Sequence, residues 1–138
     1  MAETAKSMFV NLPVKDLKKS MEFFTEVGFE FNLNFTDDNA TCMVIGENIY
    51  SMLLVEEYFK TFTKKEISDA SKTTEVLIAL MVESREKVDK LVNSAISAGG
   101  NIAKDTQDLG FMYQRSFLDL DGHQWEIGFM DESAIPQE

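Results

Sequence analysis

The chain has 138 residues, 44% of them hydrophobic, with eleven Phe, eight Met and a formal net charge of −11. That length and composition fit one compact domain or two small fused halves with a real core, and they exclude a disordered chain. The charge argues against a nucleic-acid partner, because anionic side chains repel a phosphate backbone.

The opening "MAETAKS" holds no apolar segment of signal-peptide length. Nowhere does an apolar run approach the roughly 20 residues that span a bilayer. A cytoplasmic protein with no membrane partner is therefore expected. The single Cys, Cys42 in "ATCMVIG", has no partner for an internal disulfide and reads as a small buried hydrophobe.

The first element is a strand, "MFVNLPV" at 8–14, with Val10, Leu12 and Val14 on one face and Phe9, Asn11 and Pro13 on the other. Asp16 then caps a helix whose stripe is Leu17, Met21 and Phe24, ended by Gly28. Strands are expected at 29–35, 41–46 and 49–56. The turn residues "TDDNA" separate the first two, and "EN" makes the hairpin between the last two. Residues 57–74 read as a polar linker with a short helical piece around Tyr58–Phe62.

The pattern then restarts. A strand at 75–84 places Val76, Ile78, Leu80 and Val82 on one face. Ser84 caps a helix with Val88, Leu91, Val92, Ala95 and Ile96 as its apolar stripe, stopped by Gly99 and Gly100. "NIAKDTQDLG" reads as one short strand and a loop. Strands at 111–120 and 123–130 follow, joined by an Asp-Gly turn. The tail "DESAIPQE" reads as loose. "LPVKDLKKSMEFF" (12–24) aligns without a gap on "LMVESREKVDKLV" (80–92), so the chain is an internal duplication. The expected fold is α+β: two tandem βαβββ units, at 8–56 and 75–130, whose curved sheets form a cleft.

Two stretches carry a family resemblance: "VNLPVKDLKKSMEFFTEVGF" in the first half and "FLDLDGHQWEIGF" at the end of the second. They resemble the vicinal oxygen chelate superfamily, which includes glyoxalase I, extradiol dioxygenases, fosfomycin-resistance proteins and bleomycin-binding proteins. The resemblance spans roughly residues 8–130 and most resembles its uncharacterised bacterial branch. It implies a homodimer and a small-molecule site in the cleft. Metal-dependent members carry four ligands there, usually His, Gln or Glu. The matching positions in this chain are Phe9, Met52 (Ser51 if the register slips by one), Leu77 and Glu126. Three of these four offer no good ligand for a hard metal. The resemblance therefore implies a site without a family-type metal or other cofactor.

Glu126 is the candidate catalytic residue. A carboxylate among Phe9, Leu77 and Met52 would be partly desolvated, which raises its pKa and suits a general base. The bland alternative is a polar residue hydrogen-bonded to Tyr50, Tyr113 or Arg115. The candidate ligand-binding residues are Phe9, Asn11, Tyr50, Met52, Leu77, Tyr113 and Arg115. Arg115 would either clamp an anionic group or pair with Glu126 or an Asp. His123 reads as a rim residue, and Asp119 and Asp121 as turn-formers. The function expected is binding of a small organic ligand. The alternative is a glyoxalase-type lyase or isomerase with Glu126 as base or ligand.

Overall fold

The computed structural model describes residues 1–135. Its elements are β1 (Met8–Val14), α1 (Leu17–Val27), β2 (Glu30–Asn32), β3 (Ala40–Gly46), β4 (Ile49–Val55), α2 (Glu56–Phe59), β5 (Leu77–Met81), α3 (Arg85–Ser97), β6 (Asn101–Ile102), β7 (Gln107–Asp108), β8 (Met112–Leu118) and β9 (Gln124–Met130). The described chain divides into two compact units. One comprises residues 1–25 and 29–67, the other residues 26–28 and the chain from Ser68 onward.

Each unit is built on one sheet. In the first the strand order is β1-β4-β3-β2, with β1 parallel to β4 and the other pairs antiparallel. In the second it is β5-β9-β8-β6, again with the first and last strands parallel. The fold is thus α+β with two βαβββ units, and the repeated strand order follows from the repeated sequence.

Strand alternation sorts the side chains. In the first sheet Leu12, Val14, Thr41, Met43, Ser51 and Leu53 share one face and are buried. The amphipathic α1 buries Leu17, Phe23, Phe24 and Val27. Asp16 caps it as expected, with its Oδ1 accepting from the Lys19 N–H at 3.1 Å. In the second sheet Trp125, Ile127 and Phe117 lie beneath α3, which buries Val88, Leu91, Val92 and Ala95. The Ser84 hydroxyl caps α3 through the Lys87 N–H.

Besides shifts of one or two residues at strand ends, four segments differ from the sequence expectation. The strand expected at 29–35 stops at Asn32, whose side chain accepts from the Asn34 N–H and opens a 3₁₀ turn at Leu33–Phe35. The strand expected at 75–84 is only Leu77–Met81. "NIAKDTQDLG" yields two short strands instead of one, because both β6 and β7 pair with β8. In the tail, the Asp131 side chain accepts from the Ser133 N–H and starts a 3₁₀ turn at Glu132–Ala134, so this part is ordered locally. The rest of the expected loose tail, 136–138, lies outside the described residues.

The Asp-Gly turn carries a tight constraint. Gly122 has φ +91° and sits directly against the backbone of Ala70 and Ser71. A Cβ there would lie 2.9 Å from the Ala70 oxygen and 2.9 Å from the Ser71 Cα. Gly110 also has a positive φ, +84°, but a Cβ there would meet nothing within 4 Å. Gly110→Ala should therefore cost only the conformational penalty, about 1 kcal/mol, whereas Gly122→Ala adds a backbone clash and should cost about 2–3 kcal/mol. Urea denaturation of both variants checks the ranking, and equal midpoints would refute it.

Candidate functional site

The site in the second unit is set by the β8–β9 hairpin. Asp119 is 5% exposed, and its carboxylate accepts three N–H groups: Asp121 N at 3.0 Å, His123 N at 3.0 Å and Trp125 Nε1 at 3.0 Å. Burial pushes this carboxyl above its ordinary range, against the opposing pull of His123 and the three donors. Sequence reading anticipated the turn amides but not the indole. Closing the turn this way fixes a register in which Phe117 stands opposite Trp125 and Ser116 opposite Glu126.

Because alternate residues take opposite faces, Trp125 goes under α3 and Glu126 goes to the other side of the sheet. There Glu126 is 4% exposed. Its Oε2 accepts from the Ser116 hydroxyl at 2.5 Å and the Gln124 amide at 2.9 Å, and its Oε1 pairs with the Lys104 ammonium at 2.9 Å. Burial pushes the carboxyl up, but the Ser116, Gln124 and Lys104 contacts outweigh it. The group lies below its ordinary value near 4.5. This overturns the expected rise: desolvation is present, but three donors to the charged form win. The hydrogen-bonded reading holds with different partners, since neither Tyr50, Tyr113 nor Arg115 bonds Glu126.

Arg115 and Tyr113 lie on the α3 side, away from Glu126. Arg115 Nη1 donates to Asp89 Oδ1 at 3.0 Å and to Asn93 Oδ1 at 2.9 Å. The Tyr113 hydroxyl donates to the same Asp89 oxygen at 2.6 Å, and the Arg85 guanidinium stands 4.9 Å over the Tyr113 ring. The Tyr113 and Arg115 hydrogen bonds hold Asp89 below the usual carboxylate range against its partial burial. Leu77, by contrast, shares the Glu126 face, because its strand pairs Leu77 with Gln124 and Ala79 with Glu126. Leu77 is 57% exposed.

In the first unit four of the candidate residues come together on one sheet face. Phe9 pairs with Tyr50 and Asn11 with Met52 across β1 and β4. The Phe9 and Tyr50 rings stack with centroids 4.7 Å apart and planes 12° apart, and Phe9 remains 47% exposed. Ser51 belongs to the opposite, buried face, where its hydroxyl donates to the Val10 carbonyl. The register therefore selects Met52 over Ser51 on this face. Cys42 is buried, and burial pushes its thiol up, which suits an inert packing residue.

Lys104 and Ser116 are the contributors sequence reading missed. Lys104 sits in a polar loop, where a lone Lys reads as solvated, and Ser116 gains meaning only from its register against Glu126. The four family positions do not fit a divalent metal. Only Glu126 offers a hard oxygen ligand, and its two oxygens are already engaged by an ammonium, a hydroxyl and an amide. Among the described residues no three His, Cys, Asp or Glu side chains are grouped so as to hold a metal ion.

The two repeated sheets define a protein built of two βαβββ units. A family model, the bleomycin resistance protein-like N-terminal model, matches residues 6–46. No curated protein matches the chain. Among solved structures, a hypothetical protein, SA1046, from S. aureus is 30% identical over 92% of this chain and 95% of its own, with a TM-score of 0.77. A glyoxalase/bleomycin resistance protein/dioxygenase family enzyme from Burkholderia phytofirmans is 22% identical, covering 88% and 96%, with a TM-score of 0.72. The fosfomycin resistance protein FosX from Listeria monocytogenes is 18% identical, covering 96% and 98%, with a TM-score of 0.66. The chain belongs to the glyoxalase/bleomycin resistance/dioxygenase (vicinal oxygen chelate) superfamily.

The depressed Glu126 carboxyl has a definite pH signature. Its stabilising effect is fully present above the unfolded value and is lost as pH falls through the lower folded value. Glu126→Gln should cost about 1–2 kcal/mol at neutral pH, at the low end because Lys104 is partly solvated. The gap from wild type should close in acid. Urea denaturation at both pH values measures it, and a gap that widens in acid would show the sign to be wrong.

Proposed function

We propose that this protein binds a small organic molecule on the exposed sheet faces without a family-type metal. The observation that carries this reading is the Phe9–Tyr50 stack, an aromatic surface with Phe9 half exposed, flanked by Met52 and Asn11. Aromatic side chains left in contact with water cost free energy that a flat or apolar ligand recovers by covering them. Leu77 at the equivalent position of the second unit adds a second apolar surface. Fosfomycin and bleomycin resistance are the activities named for relatives of this fold, and sequestration of a compound is the corresponding role here.

Glu126 supports the binding reading over a lyase or isomerase. A general base working at neutral pH is most effective with a pKa near neutrality, whereas the Ser116, Gln124 and Lys104 contacts hold the Glu126 carboxyl below its ordinary range. The described helices include none long and apolar enough to cross a membrane, and we place the protein in the cytoplasm. We assign it as a homodimer: β1 and β5 are terminal strands of their sheets and leave Met8 and Met81 exposed, which a second copy would cover.

Calorimetric titration with bleomycin and a panel of flat aromatic compounds tests the reading. Phe9→Ala should weaken binding of any hit by about tenfold, the value of one aromatic contact. An unchanged affinity in Phe9→Ala, or no hit at all, would refute it. Light scattering at micromolar concentration should give twice the monomer mass.

A further inference from the structure

A cavity of about 140 Å³ lies at the β8 edge of the second unit, lined by Ile102, Lys104, Asp105, Thr106, Arg115 and Ser116. Its origin is a break in the edge strand. β6 pairs with Phe117 and Leu118, and β7 pairs with Tyr113 and Gln114. Between them Lys104, Asp105 and Thr106 pair with no strand among the described residues and line the cavity together with Arg115 and Ser116. The two-strand interruption that sequence reading did not foresee thus makes a pocket beside Glu126.

Lys104 gives the pocket its chemistry. An ammonium carries three donors, and only one is spent, on Glu126 Oε1. Glu126 holds the head group in place while its side chain remains 41% exposed. The Ser116 hydroxyl is committed to Glu126, and Thr106 also lines the cavity. The charges decide the ligand class. Lys104 is balanced by Glu126 and Arg115 by Asp89, which leaves the Asp105 carboxylate uncompensated at the lining. A phosphate or carboxylate would meet a local excess of negative charge in a chain that already carries −11. An uncharged acceptor oxygen meets no such repulsion. An engineered cavity of about 150 Å³ holds a benzene-sized molecule, which sets the scale at roughly six non-hydrogen atoms.

We propose that this pocket binds a small uncharged carbonyl or amide compound, with its oxygen on Lys104. Glu126 anchors the Lys104 ammonium that takes the ligand oxygen. The pocket shares no residue with the Phe9–Tyr50 face, so the test of one reading can fail without the other.

The test is a ¹H–¹⁵N NMR titration of the full chain with acetamide and, at matched ionic strength, with inorganic phosphate. Acetamide should shift the amides of Lys104, Asp105, Thr106 and Ser116 saturably, with phosphate producing no saturable change. Lys104→Met leaves a buried carboxylate uncompensated and risks misfolding, so Lys104→Met is combined with Glu126→Gln. The double variant should bind acetamide about tenfold more weakly than Glu126→Gln alone, which retains the ammonium. Absence of saturation, equal affinity in the two variants, or tighter binding of phosphate would overturn the proposal.

Discussion

The second unit depends on one buried carboxylate. Asp119 gathers two turn amides and the Trp125 indole, and in doing so fixes the register of the β8–β9 hairpin. A slip of one residue would exchange the two faces, sending Glu126 beneath α3 and Trp125 out of it. With the register held, Phe117 and Trp125 stack at 6.2 Å with planes 3° apart under α3, and Ser116 meets Glu126 on the far side. Packing and chemistry therefore share a single determinant. The tight seat of Gly122 against Ala70 and Ser71 ties the preceding linker to the same turn.

The consequence at Glu126 is a carboxylate that is buried yet kept charged. Desolvation alone would favour its protonated form, but a hydroxyl, an amide and an ammonium together reverse the balance. Such an ion is an anchor: it orients Lys104 and is itself poorly placed to take a proton. The same principle, with different partners, operates on the helix side, where Asp89 binds Tyr113 and Arg115. Each face of this sheet thus carries its own satisfied polar cluster, and no buried side-chain donor or acceptor among the described residues lacks a partner.

The first unit shows the opposite economy. Its polar groups on the inner face are small hydroxyls, Thr41 and Ser51, while its outer face near β1 carries exposed aromatic surface. Phe9 and Leu77 occupy equivalent strand positions in the repeat, and both are apolar and exposed. On these strands the chain places surface suited to dispersion and stacking.

The sequence alone determined the two helices and the long strands around them, the internal duplication and the two helix caps, because these rest on local periodicity and on side chains that bond their own backbone. Strand alternation also put Phe9 and Asn11 on one face of β1, because it is legible within a single strand; Tyr50 and Met52 join that face only through the β1–β4 register. Sequence reading overextended β2 and β5, because apolar runs continue past the residues that find ladder partners. Tertiary structure decided the rest. Which face α3 covers cannot be read from β8, whose Tyr113, Arg115 and Phe117 suit a ligand face and a helix face equally well. Lys104 reaches Glu126 from 22 positions away through a loop with no pattern of its own. The charge state of Glu126 followed from that contact, because a pKa is set by the groups that surround a carboxylate in space and not by those beside it in the chain.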